Sequence, residues 1–207
     1  MPDFRVKDAR FVRGAPSLHA LGPAEGHEVA FLGRSNVGKS SLLGALLERP
    51  KLVRVSRQPG RTRDINLFRV EIARVEGSEM EVRTLFLVDL PGYGYAKASQ
   101  KERARMSALI SSYLERREGL KAVCQLFDLR HAPSVADRDA HAQLAAAPYA
   151  HIRVATKSDK LAVGRRKTAR RELAKALGCL PEAVVLFSAL ERSGREELWQ
   201  RIWEQLP

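Results

Sequence analysis

Eight consecutive residues, Gly33-Arg34-Ser35-Asn36-Val37-Gly38-Lys39-Ser40, place two glycines ahead of a lysine and a hydroxyl in the pattern G-x-x-x-x-G-K-[ST]. The chemistry this spacing serves is the holding of a polyphosphate. The glycines let successive backbone N–H groups turn inward, Lys39 reaches terminal phosphate oxygens, and the Ser40 hydroxyl can ligate Mg2+. An apolar run, Val29-Ala30-Phe31-Leu32, precedes the loop and a helical pattern from Lys39 to Leu47 follows it, as the mechanism requires. By average residue frequencies the bare pattern would arise by chance in about one chain in a hundred of this length.

Two further groups sit where they would serve the same ligand. Asp89-Leu90-Pro91-Gly92 ends a second apolar run, Leu85-Phe86-Leu87-Val88. A carboxylate there can hold a magnesium shell, and the Gly92 N–H can meet a γ-phosphate. Alone, such a segment reads as a plain turn. Thr156-Lys157-Ser158-Asp159 follows the strand pattern Ile152 to Ala155. The Asp159 carboxylate can accept from N1–H and the amino group of guanine, a donor pair that adenine lacks, while the Lys157 stem lies along the base. Ser188-Ala189-Leu190 follows another apolar run, Val184 to Phe187, and can offer N–H groups to the guanine O6. Between the first helix and the next strands, Gln58-Pro59-Gly60-Arg61-Thr62-Arg63-Asp64 is a polar loop that a γ-phosphate could order, with Thr62 the best second protein ligand for Mg2+.

The elements that must position these groups follow from periodicity. Apolar β-rich runs alternate with helical patterns, which predicts an α/β fold of three layers, a mostly parallel sheet with helices on both faces. Strands are expected over Phe68 to Val75 and Glu81 to Val88, joined around Gly77-Ser78 as an antiparallel edge hairpin, and over Ala122 to Asp128, Ile152 to Thr156 and Val184 to Phe187. A last helix spans about Arg195 to Gln205. Residues 1–26 alternate weakly and read as an N-terminal arm with one strand, leaving 27–207 as a single nucleotide-binding domain.

Composition excludes several classes. With 207 residues, 44% hydrophobic and 29% charged, the chain is neither disordered nor a disulfide miniprotein. Cys124 and Cys179 lie in apolar stretches without metal spacing and read as buried thiols of a reducing, cytoplasmic setting. No apolar run nears the roughly 18 residues of a membrane span. The net charge of +12 points to a polyanionic partner. Basic residues gather at Arg54, Arg57, Arg61 and Arg63, and again at Arg165, Arg166, Lys167, Arg170 and Arg171. Aromatics, at 6%, do not interleave with them, which favours backbone contacts to folded RNA over base stacking, or else a solvated face. A metabolic kinase would need an acceptor lid and a base, for which the sequence offers no candidate; His131 reads as a loop residue.

Taken together, the phosphate loop with Ser41, Pro59-Gly60-Arg61-Thr62, Asp89-Leu90-Pro91-Gly92-Tyr93-Gly94-Tyr95-Ala96, Asp128-Leu129-Arg130-His131-Ala132-Pro133 and Thr156-Lys157-Ser158-Asp159 resemble the EngB family of ribosome-biogenesis GTPases. The resemblance covers nearly the whole chain, the N-terminal arm fitting least. It implies a P-loop GTPase fold and a bacterial protein, expected to be monomeric, that binds GTP and GDP with Mg2+. It further implies action on the precursor of the large ribosomal subunit, with its rRNA and ribosomal proteins, and a link to cell division and septation. By position it places GTP contacts on Gly33 to Ser40, on Gly60, Arg61, Thr62, Arg63 and Asp64, on Asp89 to Gly92, on Thr156 to Asp159 and on Phe187 to Ala189, with Mg2+ on Ser40 and Thr62. Lys39, Thr62 and Asn36 are its catalytic candidates, Asn36 resembling an asparagine that helps hold K+ in related GTPases. Where a glutamine would orient the attacking water, the chain has Tyr93, whose phenol cannot present an amide's donor and acceptor together, so slow intrinsic hydrolysis is expected.

Overall fold

The computed structural model describes residues 2–55, 64–94 and 99–207. In chain order the elements are β1 (Asp3–Ala15), a single turn α1 (Leu18–Leu21), β2 (Glu28–Gly33), α2 (Lys39–Leu46), α3 (Pro50–Val55), β3 (Ile65–Glu76), β4 (Glu79–Asp89), α4 (Gln100–Arg116), β5 (Leu120–Asp128), α5 (Val135–Ala145), β6 (Ala150–Thr156), α6 (Val163–Ala176), β7 (Val184–Leu186) and α7 (Arg195–Trp203). One seven-stranded sheet has the order β1-β3-β4-β2-β5-β6-β7. β4, β2, β5, β6 and β7 are mutually parallel, and β3 runs antiparallel to both of its neighbours. The expected α/β sheet with one antiparallel hairpin is therefore present, with β1 added outside the hairpin.

Alternation along the strands explains the layers. Val29 and Phe31 point into one core with Leu85, Leu87, Cys124 and Leu126, covered by Leu42, Leu43 and Leu46 of α2 and by Trp199 and Ile202 of α7. Ala30 and Leu32 point the other way, with Val88 and Val123, under Leu109, Ile110 and Tyr113 of α4 and Leu144 of α5. A third cluster packs Ala169, Leu173 and Leu177 of the α6 region against Phe127, Ala155 and Val184. Central strands buried on both faces read as continuous apolar runs, which is why they were legible.

Local signals set the boundaries. Gly77 at φ 62° makes the two-residue turn between β3 and β4, in the first central position that a type II′ turn reserves for glycine. Ser99 and Glu102 form a reciprocal capping box on α4, and Ser134 and Asp137 another on α5. Gly194 opens α7 at φ 78°, where an added Cβ would lie 1.9 Å from the Leu186 carbonyl oxygen, so no other residue fits. The final helix ends at Trp203, two residues before the expected end. Cys124 is fully buried, which pushes its thiol well up. Cys179 is half-buried rather than buried.

Candidate functional site

The carboxyl ends of β2, β4, β5 and β6 converge at one rim of the sheet, the place where open parallel sheets bind ligands. At the end of β2 the chain turns through Asn36 at φ 64° and Gly38 at φ 104° into α2. Gly38 caps α2 with no side-chain hydrogen bond, so the first-turn N–H groups remain directed at the loop. Lys39, 9% exposed, forms an ion pair with Asp89 of β4. Ser40 Oγ is shielded from solvent and has no hydrogen-bond partner among the described residues. An orphaned hydroxyl that shares a cavity with the Asp89 carboxylate supplies hard oxygen donors of the kind that suits Mg2+. Lys39, Ser40 and Asp89 line this cavity of about 460 Å³ together with Arg34, Ser35, Asn36, Gly38, Asp64, Asn66, Leu90 and Gly92.

The loop after β4 is zipped to the phosphate loop. Ser35 N–H donates to Tyr93 O at 2.9 Å and Tyr93 N–H to Gly33 O at 3.2 Å. A Cβ on Gly92 would lie 3.2 Å from both Gly33 O and Ser35 N, so glycine permits this approach. Pro91 is buried beside it.

A second, larger cavity of about 610 Å³ shares Gly38, Ser40, Ser41 and Lys157 with the first and continues over Thr156, Asp159, Phe187 and Ala189. Thr156 Oγ1 lies 2.6 Å from Val37 O and 3.0 Å from Phe127 O, tying the phosphate loop to β5 and β6. Lys157, at φ 60°, donates to Asn36 O at 2.7 Å and to Asp128 Oδ2 at 2.8 Å, which lays its stem across the junction of the two cavities. Ser188 is fully buried and donates through Oγ to Asp159 Oδ1 at 2.7 Å; this bond chiefly holds the Asp159 carboxyl below its ordinary range. Ser158 turns inward instead, its N–H donating to Phe187 O.

Every expected contact that falls on described residues is thus at one rim, although Gly33, Val37, Pro91, Ser158 and Ser188 line neither cavity and support the residues that do. Gly60, Arg61, Thr62 and Arg63 lie outside the described residues, as does Arg57, and nothing is described of the Arg54 side chain. Asp128 had been part of a motif without a role. Burial opposes its charge, yet hydrogen bonds from Arg130 and Lys157 hold it well below the usual carboxylate range, and it fixes Lys157 in turn. Leu190, expected with Ser188 and Ala189 at the base site, lines the larger cavity, and Asn66 and Arg192 also line the cavities and carry no motif that would have marked them.

A profile of the family described as 50S ribosome-binding GTPase matches residues 28–157. The "Probable GTP-binding protein EngB" of Anaeromyxobacter dehalogenans (strain 2CP-C) is 46% identical over 175 residues, 84% of this chain and 80% of that protein. That of Myxococcus xanthus (strain DK1622) is 43% identical over 201 residues, 94% of this chain and 93% of that one. In fold, the crystal structure of a probable GTP-binding protein engB superposes with a TM-score of 0.66 at 24% identity, covering 86% of this chain and 97% of the other. Among the described residues, no helix is long and apolar enough to cross a membrane.

Proposed function

The chain belongs to the EngB family of GTP-binding proteins and carries a GTPase domain, and we propose that it works as a slow GTP-dependent switch in assembly of the large ribosomal subunit. The observation that carries this reading is that the cavity over the phosphate loop and the cavity lined by Asp159 share Gly38, Ser40, Ser41 and Lys157, so that they open into one another. One ligand spanning both cavities must then carry a polyphosphate and a base with two adjacent donors, which is guanosine triphosphate or diphosphate.

Ser40 and Thr62 would hold Mg2+, which when bound neutralises charge developing on the β- and γ-phosphate oxygens. Lys39 would leave Asp89 for the phosphates, since the same ammonium cannot serve both at full strength. Asn36 at its positive φ would help seat K+ beside the phosphates in place of an arginine. Hydrolysis would be slow because Tyr93 has no amide to orient water. By family, the protein would act in the bacterial cytoplasm, with an indirect or direct bearing on division and septation.

The partner surface would be basic. On α6, Arg165, Lys167 and Arg171 are exposed, whereas Arg166 pairs with Glu191 and Arg170 donates to Pro181 O at 2.6 Å. Two of the five are therefore structural and three are free to meet phosphate. Co-sedimentation with large ribosomal subunits, loaded with GTP or GDP at two salt concentrations, tests the switch. Binding is expected with GTP and to weaken steeply with salt; equal binding in both nucleotide states refutes the proposal. Substitution of Lys167 and Arg171 by Glu should lower particle binding at least tenfold while GTP affinity stays within twofold.

A further inference from the structure

Tyr93, directly after Gly92, does not line the cavity over the phosphate loop. It lines a groove between α4 and α5, whereas the phosphate cavity ends at Gly92. Its hydroxyl donates to Asp137 Oδ1 at 2.9 Å, and burial pushes the phenol pKa well up, so it stays a donor. Asp137 is 5% exposed at the third position of α5. Its other oxygen accepts from Ser134 N–H at 2.9 Å and Ser134 Oγ–H at 2.7 Å, and lies 3.8 Å from Arg34 Nη1 in the phosphate loop. Gln125 of β5 closes the group from below: its amide nitrogen donates to Asp137 O at 3.0 Å and lies 3.5 Å from the Tyr93 oxygen.

Segments distant in sequence thus meet at Asp137, Tyr93 and Arg34 at its carboxylate and Gln125 at its main-chain carbonyl. What they jointly hold is the backbone of Gly92. Tyr93 is pinned on both sides, by main-chain bonds to Gly33 and Ser35 and by its phenol to α5. Gly92 is buried between them, and its N–H donates to no described residue. A backbone donor held still beside a polyphosphate cavity, with its own hydrogen bond unused, is poised for an anionic oxygen.

We propose that Asp137 is a positioning residue for the terminal phosphate: through the Tyr93 hydroxyl and Arg34 it fixes the Gly92 N–H in the pose that meets a γ-phosphoryl group. The inference rests on the guanine nucleotide reading above and extends it to how GTP is told from GDP. GDP places nothing at Gly92, so the anchor matters for GTP alone. It also gives Tyr93 a purpose at a position where it orients no water: the side chain serves preorganisation of the loop behind it.

The experiment measures GTP and GDP affinities and single-turnover hydrolysis for Tyr93→Phe, Asp137→Asn and the double variant. Tyr93→Phe keeps the ring and removes only the hydroxyl; it should weaken GTP about tenfold and slow turnover by a similar factor, with GDP affinity within twofold. Asp137→Asn, which also disturbs the cap of α5, should move the same ratio, and the double variant should be no worse than Asp137→Asn, because both act through one bond. A merely structural role would weaken GTP and GDP together, and that result, or a GTP to GDP ratio unchanged in Tyr93→Phe, overturns the assignment. Wild-type protein that fails to prefer GTP over ATP would overturn the nucleotide reading itself, and the assignment with it.

Discussion

Asp159 shows how much one carboxylate is asked to do. Ser188 Oγ–H occupies one lone pair of Oδ1, and Lys160 Nζ stands 3.5 Å from Oδ2, which leaves acceptor capacity on the cavity side for two guanine donors. Charge-assisted hydrogen bonds contribute about 1.5–3 kcal/mol each, so Asp159→Ala should weaken GTP on the order of 100-fold or more and leave weak ATP binding unchanged. Fluorescence titration with both nucleotides checks this; a variant that still prefers GTP strongly would show that the base is read elsewhere. Ser188→Ala should cost only a few-fold at neutral pH. Without its donor the Asp159 carboxyl returns toward its ordinary range, and since guanine needs the anion, the loss should deepen as the pH approaches that range. These residues were legible from sequence because each motif is contiguous and its spacing is dictated by the ligand. The meeting of Arg34 and the Tyr93 hydroxyl with Asp137 and Gln125 was not, since nothing local in four separate segments says that they come together.

At the scale of elements, α4 is fastened at its end remote from the site. Arg117, its C-terminal cap, donates to both oxygens of Glu28 at the start of β2, at 3.0 and 2.8 Å through Nε and 2.5 Å through Nη2. Tyr113 OH adds a bond of 2.6 Å, and Arg117 also binds the carbonyls of Gly22 and Pro23. Glu28 is fully buried. Removing one partner of such a pair leaves an uncompensated buried charge, so Arg117→Met should lower unfolding free energy by about 3–5 kcal/mol, whereas replacing both members with apolar residues should recover much of it. Urea unfolding of the single and double variants measures both, and equal losses would refute the argument. The pair was invisible in sequence because its members are 89 positions apart. β1 was faint for another reason. Its register against β3 shifts between Val6 and Asp8 and again between Phe11 and Arg13, and each bulge resets the alternation on which strand recognition depends. Those bulges, with Arg5, Lys7 and Arg10 along it, also keep this outer strand from templating another sheet.

For the molecule as a whole, the same sheet that gathers the site also buries groups that set its tolerance of acid. His141 of α5 and His151 of β6 meet at a tilt of 49° with ring centroids 4.9 Å apart, and His141 meets Phe127 edge-on at 6.4 Å. His151 Nε2 lies 3.0 Å from Gln125 Oε1, while the Nδ1 atoms of both rings are buried without a partner among the described residues. Burial first, and then the Arg153 guanidinium, lower both pKa values, that of His151 to about 3 with His141 adding its share. In the unfolded chain both would titrate near the ordinary value of about 6.5, so the unfolded state binds more protons below that pH. Stability from this pair is therefore complete above about pH 6.5 and declines as the pH falls, for His151 down toward about 3 and by up to about 1.4 kcal/mol per pH unit for that ring. Asp128 and Asp159 have lowered values and so act only in more acid solution, below the ordinary carboxylate range, which leaves pH 5 to 7.5 to the histidines. Urea midpoints should fall across that interval, and His151→Gln, whose amide can still donate to Gln125, should reduce the slope by roughly half. A midpoint flat from pH 7.5 to 5, or an identical slope in His151→Gln, would mean that the two rings take up protons without opening the contact of α5 with β6.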